Sequence, residues 1–167
     1  MSTFSNRLSR TVDKLEKLPA PCRRVARSLA FGRAVPFVGT AGLSIDEMNA
    51  ERLVVSTPNR RRVQNHIQGI HAAAMALLAE TATGLLVGMN VPDSAVPLIK
   101  SMKVEYRKRT QGGMTATATL TPEQIEKIRT EPKGDVTVAV SVTDESGKEP
   151  IQCEMIWAWV PKKRKKS

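Results

Sequence analysis

A chain of 167 residues that is 41% hydrophobic and 25% charged suits one soluble domain and is short for two. Its net charge of +10 falls to +5 once the run Lys162, Lys163, Arg164, Lys165 and Lys166 is set aside, and such a run ordinarily stays solvated. The N-terminal residues carry no apolar leader, no stretch reads as a span of about 20 apolar residues, and Cys22, Cys153, His66 and His71 lack metal-ligand spacing; a secreted, membrane-spanning or zinc-stabilised protein is not expected.

Residues 5–31 read as helical, with Leu8, Val12, Leu15 and Leu18 at three- and four-residue steps. Pro19-Ala20-Pro21 divides this stretch in two, and the second piece, Cys22 to Phe31, is rich in arginine. A surface helix laying one apolar stripe on the domain is expected there. Pro36-Phe37-Val38-Gly39 reads as a connector. Leu43-Ser44-Ile45 and Leu53 to Thr57 then predict two strands of a hairpin turned near Asn49-Ala50, followed by a polar, basic loop from Asn59 to Gly69.

The segment from His71 to Met89 is apolar on every face, which predicts a helix buried all round, and Gly84 and Gly88 interrupt it too much for a membrane span. Four alternating segments follow it: Met102–Tyr106, Met114–Leu120, Val136–Val142 and Cys153–Trp159. Thr121-Pro122-Glu123-Gln124, between the second and third, predicts a capped short helix to about Arg129. One buried helix followed by a run of antiparallel strands implies an α+β fold, a curved sheet wrapped around that helix. The open sheet edges make dimerisation expected.

Between Ala72 and Met89 the one ionisable side chain is Glu80. A carboxylate desolvated among apolar neighbours has a raised pKa and is a better base. The same residue could instead be a structural glutamate, satisfied by Thr81, Thr83 or an arginine across an interface. At the start of the helix, Gly69 permits a sharp turn and His71 falls at the N-cap. The N–H groups of Ala72 and Ala73 would then be free at the positive end of the helix, where an oxyanion could be held. His71 itself reads more simply as structural. His71 and Glu80 are nine residues apart, on opposite faces and about 13 Å apart along the axis, so they could share a site only across a two-fold dimer.

Asn65…Gly69-x-His71-Ala72-Ala73…Glu80 resembles the motif of the hotdog-fold acyl-CoA thioesterases, in particular the phenylacetyl-CoA and hydroxybenzoyl-CoA thioesterase-like branch. That motif is Asn-x-x-x-Gly-x-His-Gly-Gly with a helical Asp or Glu nine residues after the His. The Pro36-Phe37 lead-in and Val104-Glu105-Tyr106-Arg107-Lys108 look like a functionally unassigned subfamily of this group. The resemblance covers roughly residues 35–160. It implies a hotdog domain there; the residues before it read as an N-terminal helical extension at 1–34 and those after it as a disordered basic tail at 161–167. The resemblance also implies Glu80 as general base or nucleophile, Asn65 as the amide holding water or thioester, and the Ala72 N–H as oxyanion donor. Gly69, His71 and Ala73 would border the substrate. Ala72-Ala73 replaces the family's Gly-Gly, which crowds the approach of a thioester and motivates a second expectation, a non-catalytic module that binds an acyl ligand.

Arg61, Arg62, Arg107 and Lys108 belong to basic clusters that would attract the phosphates of coenzyme A, although each also fits a solvated surface. Coenzyme A enters as part of the substrate, with no separate cofactor or metal. The expected state is a cytoplasmic homodimer, with further pairing into tetramers open, and no membrane partner. Tyr106 is the single tyrosine, so no aromatic-basic strip supports nucleic-acid binding.

Overall fold

The computed structural model describes residues 4–163. Three helices come first: α1 (Arg7–Glu16), α2 (Ala20–Ala34) and α3 (Pro36–Ala41). The hairpin β1 (Ser44–Met48) and β2 (Arg52–Thr57) follows, then the long helix α4 (Ala72–Asn90). The remainder is β3 (Ala95–Tyr106), β4 (Met114–Thr119), α5 (Pro122–Thr130), β5 (Gly134–Asp144) and β6 (Ile151–Pro161). The six strands form one antiparallel sheet in the order β1-β2-β4-β5-β6-β3. The sheet curves around α4, which is the hotdog arrangement.

Alternation decides which face meets α4. Val136, Val138 and Val142 of β5 and Met155, Trp157 and Trp159 of β6 are buried, while Thr137, Ala139, Ser141 and Glu154 face out. On β4 the inward residues Ala116 and Ala118 are small and fully buried, which lets the helix pass close. Gly84 meets Trp157 so tightly that a Cβ there would stand 2.5 Å from the indole ring. The Trp157 Nε1 donates to Thr83 Oγ1 at 2.9 Å, so the polar edge of this core tryptophan is satisfied by the same helix turn.

Two expectations are corrected here. Residues 36–39 are not a connector but the start of α3: Pro36 occupies the first helical position and Gly42, at φ 69°, ends the helix in the left-handed region. Helix α3 lies tightly on α2, and a Cβ on Gly39 would fall 2.5 Å from the Gly32 carbonyl oxygen. Helix α4 is long and apolar enough to cross a membrane by length and composition, yet it is the core helix beneath the sheet, and its burial is incomplete. Ala72 and Ala73 are exposed and Glu80 is half-buried.

The two edges of the sheet are treated differently. The β1 edge is covered by α2: Ser28 Oγ accepts from the Ile45 N–H at 3.0 Å, and the buried Arg27 guanidinium donates to the Ile45 and Asp46 carbonyls while pairing with Glu16. A register shift between Ile45 and Glu47 breaks this edge further. Among the described residues the β3 edge has no such cover. Leu98, Ile99 and Met102 lie along it at 51%, 41% and 50% exposure.

Candidate active site

The loop before α4 is built around the Asn65 side chain. Its Oδ1 accepts from the backbone N–H of Ile67 and of Gly69, each at 3.1 Å, and the Asn65 N–H reaches the Gly69 carbonyl at 2.9 Å. With Gln68 in the left-handed region at φ 61°, these bonds close a tight turn. Because Oδ1 is held by the backbone, the Asn65 Nδ2 is oriented outward, and among the described residues it has no hydrogen-bond acceptor. Gly69 sits under Thr110, whose Oγ1 would be 3.3 Å from an added Cβ and accepts from the Ile70 N–H at 3.2 Å.

His71 is the N-cap of α4 and its Nδ1 accepts from the Ala73 N–H at 3.0 Å. That bond separates two amides that looked alike in the sequence. The Ala73 N–H is taken, whereas the Ala72 N–H, one residue earlier, has no partner among the described residues. The Ala72 carbonyl accepts from the Tyr106 hydroxyl at 3.0 Å, which ties the first helical turn to the end of β3.

Asn65, Gly69, Ala72, Tyr106, Lys108 and Arg109 border one cavity of about 320 Å³. An outward amide, a free helix-start N–H and two cations therefore face a common space, suited to a polarised carbonyl with an anionic group nearby. Ala73 and His71 face a second, smaller cavity of about 200 Å³ on the other side of the helix start, where Arg62 and Phe37 also lie. Arg61 is exposed on a single 3-10 turn and borders neither space. Arg107 is turned to Glu105, which also pairs with Lys103 at 3.2 Å, and these groups line a different surface cavity. Of the four basic residues singled out in the sequence, only Lys108 stands with Asn65 and Ala72. Tyr106 and Thr110, which the sequence did not single out for this role, fasten the helix start and its loop to the end of β3.

Glu80 lies on the third turn of α4 and is not among the residues bordering the Asn65 cavity. Eight residues separate it from Ala72, roughly 12 Å along the helix. Burial raises its carboxyl pKa above the ordinary value, with the adjacent Thr81 hydroxyl opposing that shift. Thr81 Oγ1 is itself buried without a well-formed hydrogen bond. Thr83 is committed elsewhere, donating to the Ala79 and Glu80 carbonyls and accepting from Trp157. Among the described residues no cation pairs with Glu80. A half-buried carboxylate on an apolar helix, unpaired among the described residues, thus stands apart from the amide cluster of its own chain.

Comparison with known proteins adds a family and a set of shapes. A family model described as Domain of unknown function (DUF4442) matches residues 23–160. The chain belongs to the DUF4442 family. No curated protein matches it. Among solved structures, a Pseudomonas aeruginosa protein of unknown function described as a probable thioesterase is similar at TM-score 0.74 and 22% identity, over 87% of this chain and 97% of that one. A thioesterase from Haemophilus influenzae is similar at TM-score 0.62 and 14% identity, over 75% of this chain and 82% of that one. A Staphylococcus aureus thioesterase, solved as a mutant, is similar at TM-score 0.64 and 19% identity, over 76% and 100%. At these identities the likeness is one of fold. The DUF4442 match begins inside α2 and ends on β6, so it takes in Asn65, Ala72 and Glu80 and leaves α1 outside.

Proposed function

We propose that this DUF4442 protein is a homodimeric thioesterase that hydrolyses the thioester of an acyl-CoA. One observation carries the reading: α4 bears a single ionisable group, the unpaired and half-buried Glu80, and begins with an unpartnered Ala72 N–H beside the outward amide of Asn65. The fold shared with proteins described as thioesterases supports it.

In this scheme Glu80 of one protomer meets the helix start of the other. Its carboxylate acts as general base on water, or attacks the thioester carbonyl directly. The Ala72 N–H stabilises the negative charge that develops on the carbonyl oxygen, and Asn65 Nδ2 holds the water or the thioester. Lys108, joined by Arg109, attracts the phosphates of coenzyme A, which leaves as the thiol. The sheet edges support the pairing of protomers: β1 is covered by α2, while apolar side chains on β3 are exposed.

The test is turnover of a panel of aliphatic and aromatic acyl-CoAs by the purified protein and by Glu80→Gln. A loss of about 10²–10⁴-fold is expected. Equal rates would remove Glu80 from the chemistry. A second reading, a binding module without turnover, is favoured by the exposed Ala72 side chain at the border of the Asn65 cavity and by the capping of the Ala73 N–H. Saturable acyl-CoA binding with no thiol released would select it.

A further inference from the structure

We infer that the groove between the N-terminal helices and the far end of α4 is a separate binding site for the carboxylate of a single-chain amphiphile, a fatty acid. The groove has a volume of about 440 Å³, larger than the cavity at the start of α4 and within the roughly 300–1,000 Å³ of small-ligand sites. It lies at the opposite end of the helix: Gly88 lines it, sixteen residues and roughly 24 Å from Ala72.

Its floor is apolar and fixed. Phe31, Val91 and Ala95 are buried there, with Leu8 and Pro97 on the walls. Asn6, 2% exposed, donates from Nδ2 to the Gly88 and Val91 carbonyls at 2.8 and 2.7 Å, clamping α1 onto the end of α4. A side chain at position 88 would crowd this junction, since its Cβ would stand 3.1 Å from Leu8 Cδ2.

The rim carries Arg7, Lys162 and Asp93. The Asp93 carboxylate is already engaged, accepting from the Arg7 backbone N–H at 2.8 Å and pairing with the Arg10 guanidinium at 3.0 Å. Lys162 Nζ donates to the Asp93 carbonyl, not to a carboxylate. Among the described residues the Arg7 guanidinium has no acceptor. Arg10 pairs with the Asp93 carboxylate and Lys162 adds its charge beside it, so on this rim the Arg7 guanidinium is the cation left without a partner among the described residues, at the border of an apolar groove. That combination selects an aliphatic chain ending in an anion, and the planar guanidinium fork matches a carboxylate.

Decanoate titrated calorimetrically into the full-length protein, below its micelle concentration, is expected to saturate at one molecule per chain. It should bind about tenfold or more tightly than decanol. Arg7→Gln removes an exposed guanidinium and keeps the backbone donor to Asp93; the preference for decanoate over decanol is expected to disappear. Ala34→Trp, on the groove wall, is expected to abolish binding of both. Lys108→Gln, in the other cavity, is expected to leave decanoate affinity unchanged. The inference fails if the parent shows no saturable binding, if Arg7→Gln keeps the preference, or if Lys108→Gln loses the binding. Should Ala34→Trp not fold, the Arg7→Gln and Lys108→Gln comparisons decide the matter. None of these measurements depends on thioester turnover.

Discussion

Glu80 is a carboxylate placed where its charge is poorly solvated, and that has consequences for both stability and rate. Its pKa in the folded protein is raised above the ordinary value of 4.5. The folded state therefore keeps this proton to higher pH than the unfolded state does. Stability must fall as pH rises from about 4.5 through the raised value, because over that window the unfolded chain binds fewer protons. Glu80→Gln removes the effect, so its melting temperature is expected to exceed that of the parent at pH 8, with the difference closing by pH 4. A gap that does not change with pH would show that the carboxyl is solvated. Activity should follow the same titration in the opposite sense, rising as the carboxylate forms. Glu80 stands out in the sequence as an isolated acid on an apolar helix, whereas Asn65 and the Ala72 N–H become candidates through the family resemblance. Helix geometry alone does not separate the Ala72 and Ala73 amides, since that depends on which way the His71 ring turns; the resemblance points to Ala72. The diversion of Arg107 was partly legible: Lys103, Glu105 and Arg107 alternate along a strand and so share a face.

At the scale of elements, a buried polar contact joins the middle of α4 to β6. Thr83 donates backward to its own helix and accepts the Trp157 indole N–H in the same stroke. Thr83→Val keeps shape and volume but leaves a buried N–H unpaired, so a loss of roughly 1–3 kcal/mol is expected in chemical denaturation. An unchanged midpoint would mean that water reaches Trp157. The strands that alternate cleanly, β4, β5 and β6, and the capping box of α5 were legible because each is specified within a few residues. Helix α3 was not, for Pro36 and Gly39 look like loop residues until Gly39 is seen to be the point where α2 passes. Strand β3 extends seven residues before its alternating part at Met102, through Pro97 and a register shift between Ile99 and Ser101. An edge strand tolerates both, and nothing local announces an edge.

For the molecule as a whole, the separation between Glu80 and its own helix start is the feature that decides how a site could form. A symmetric pair of protomers solves it twice, because a two-fold axis that brings Glu80 of the first to Asn65 of the second also does the reverse. The exposed Leu98, Ile99 and Met102 give β3 the apolar margin for such a pair. Two inactive variants can test the sharing directly. Glu80→Gln removes the carboxylate, while Asn65→Asp keeps the acceptor oxygens for Ile67 and Gly69 and removes the side-chain donor. Each alone is expected to be inactive as a homodimer. When the two are unfolded together and refolded as an equal mixture, half of the dimers are mixed, and each mixed dimer contains one site with an intact Glu80 and an intact Asn65. About a quarter of the parent activity is then expected to return. If both residues served one site within a single chain, every site in every dimer would lack one of them, and the mixture would stay as inactive as its parts.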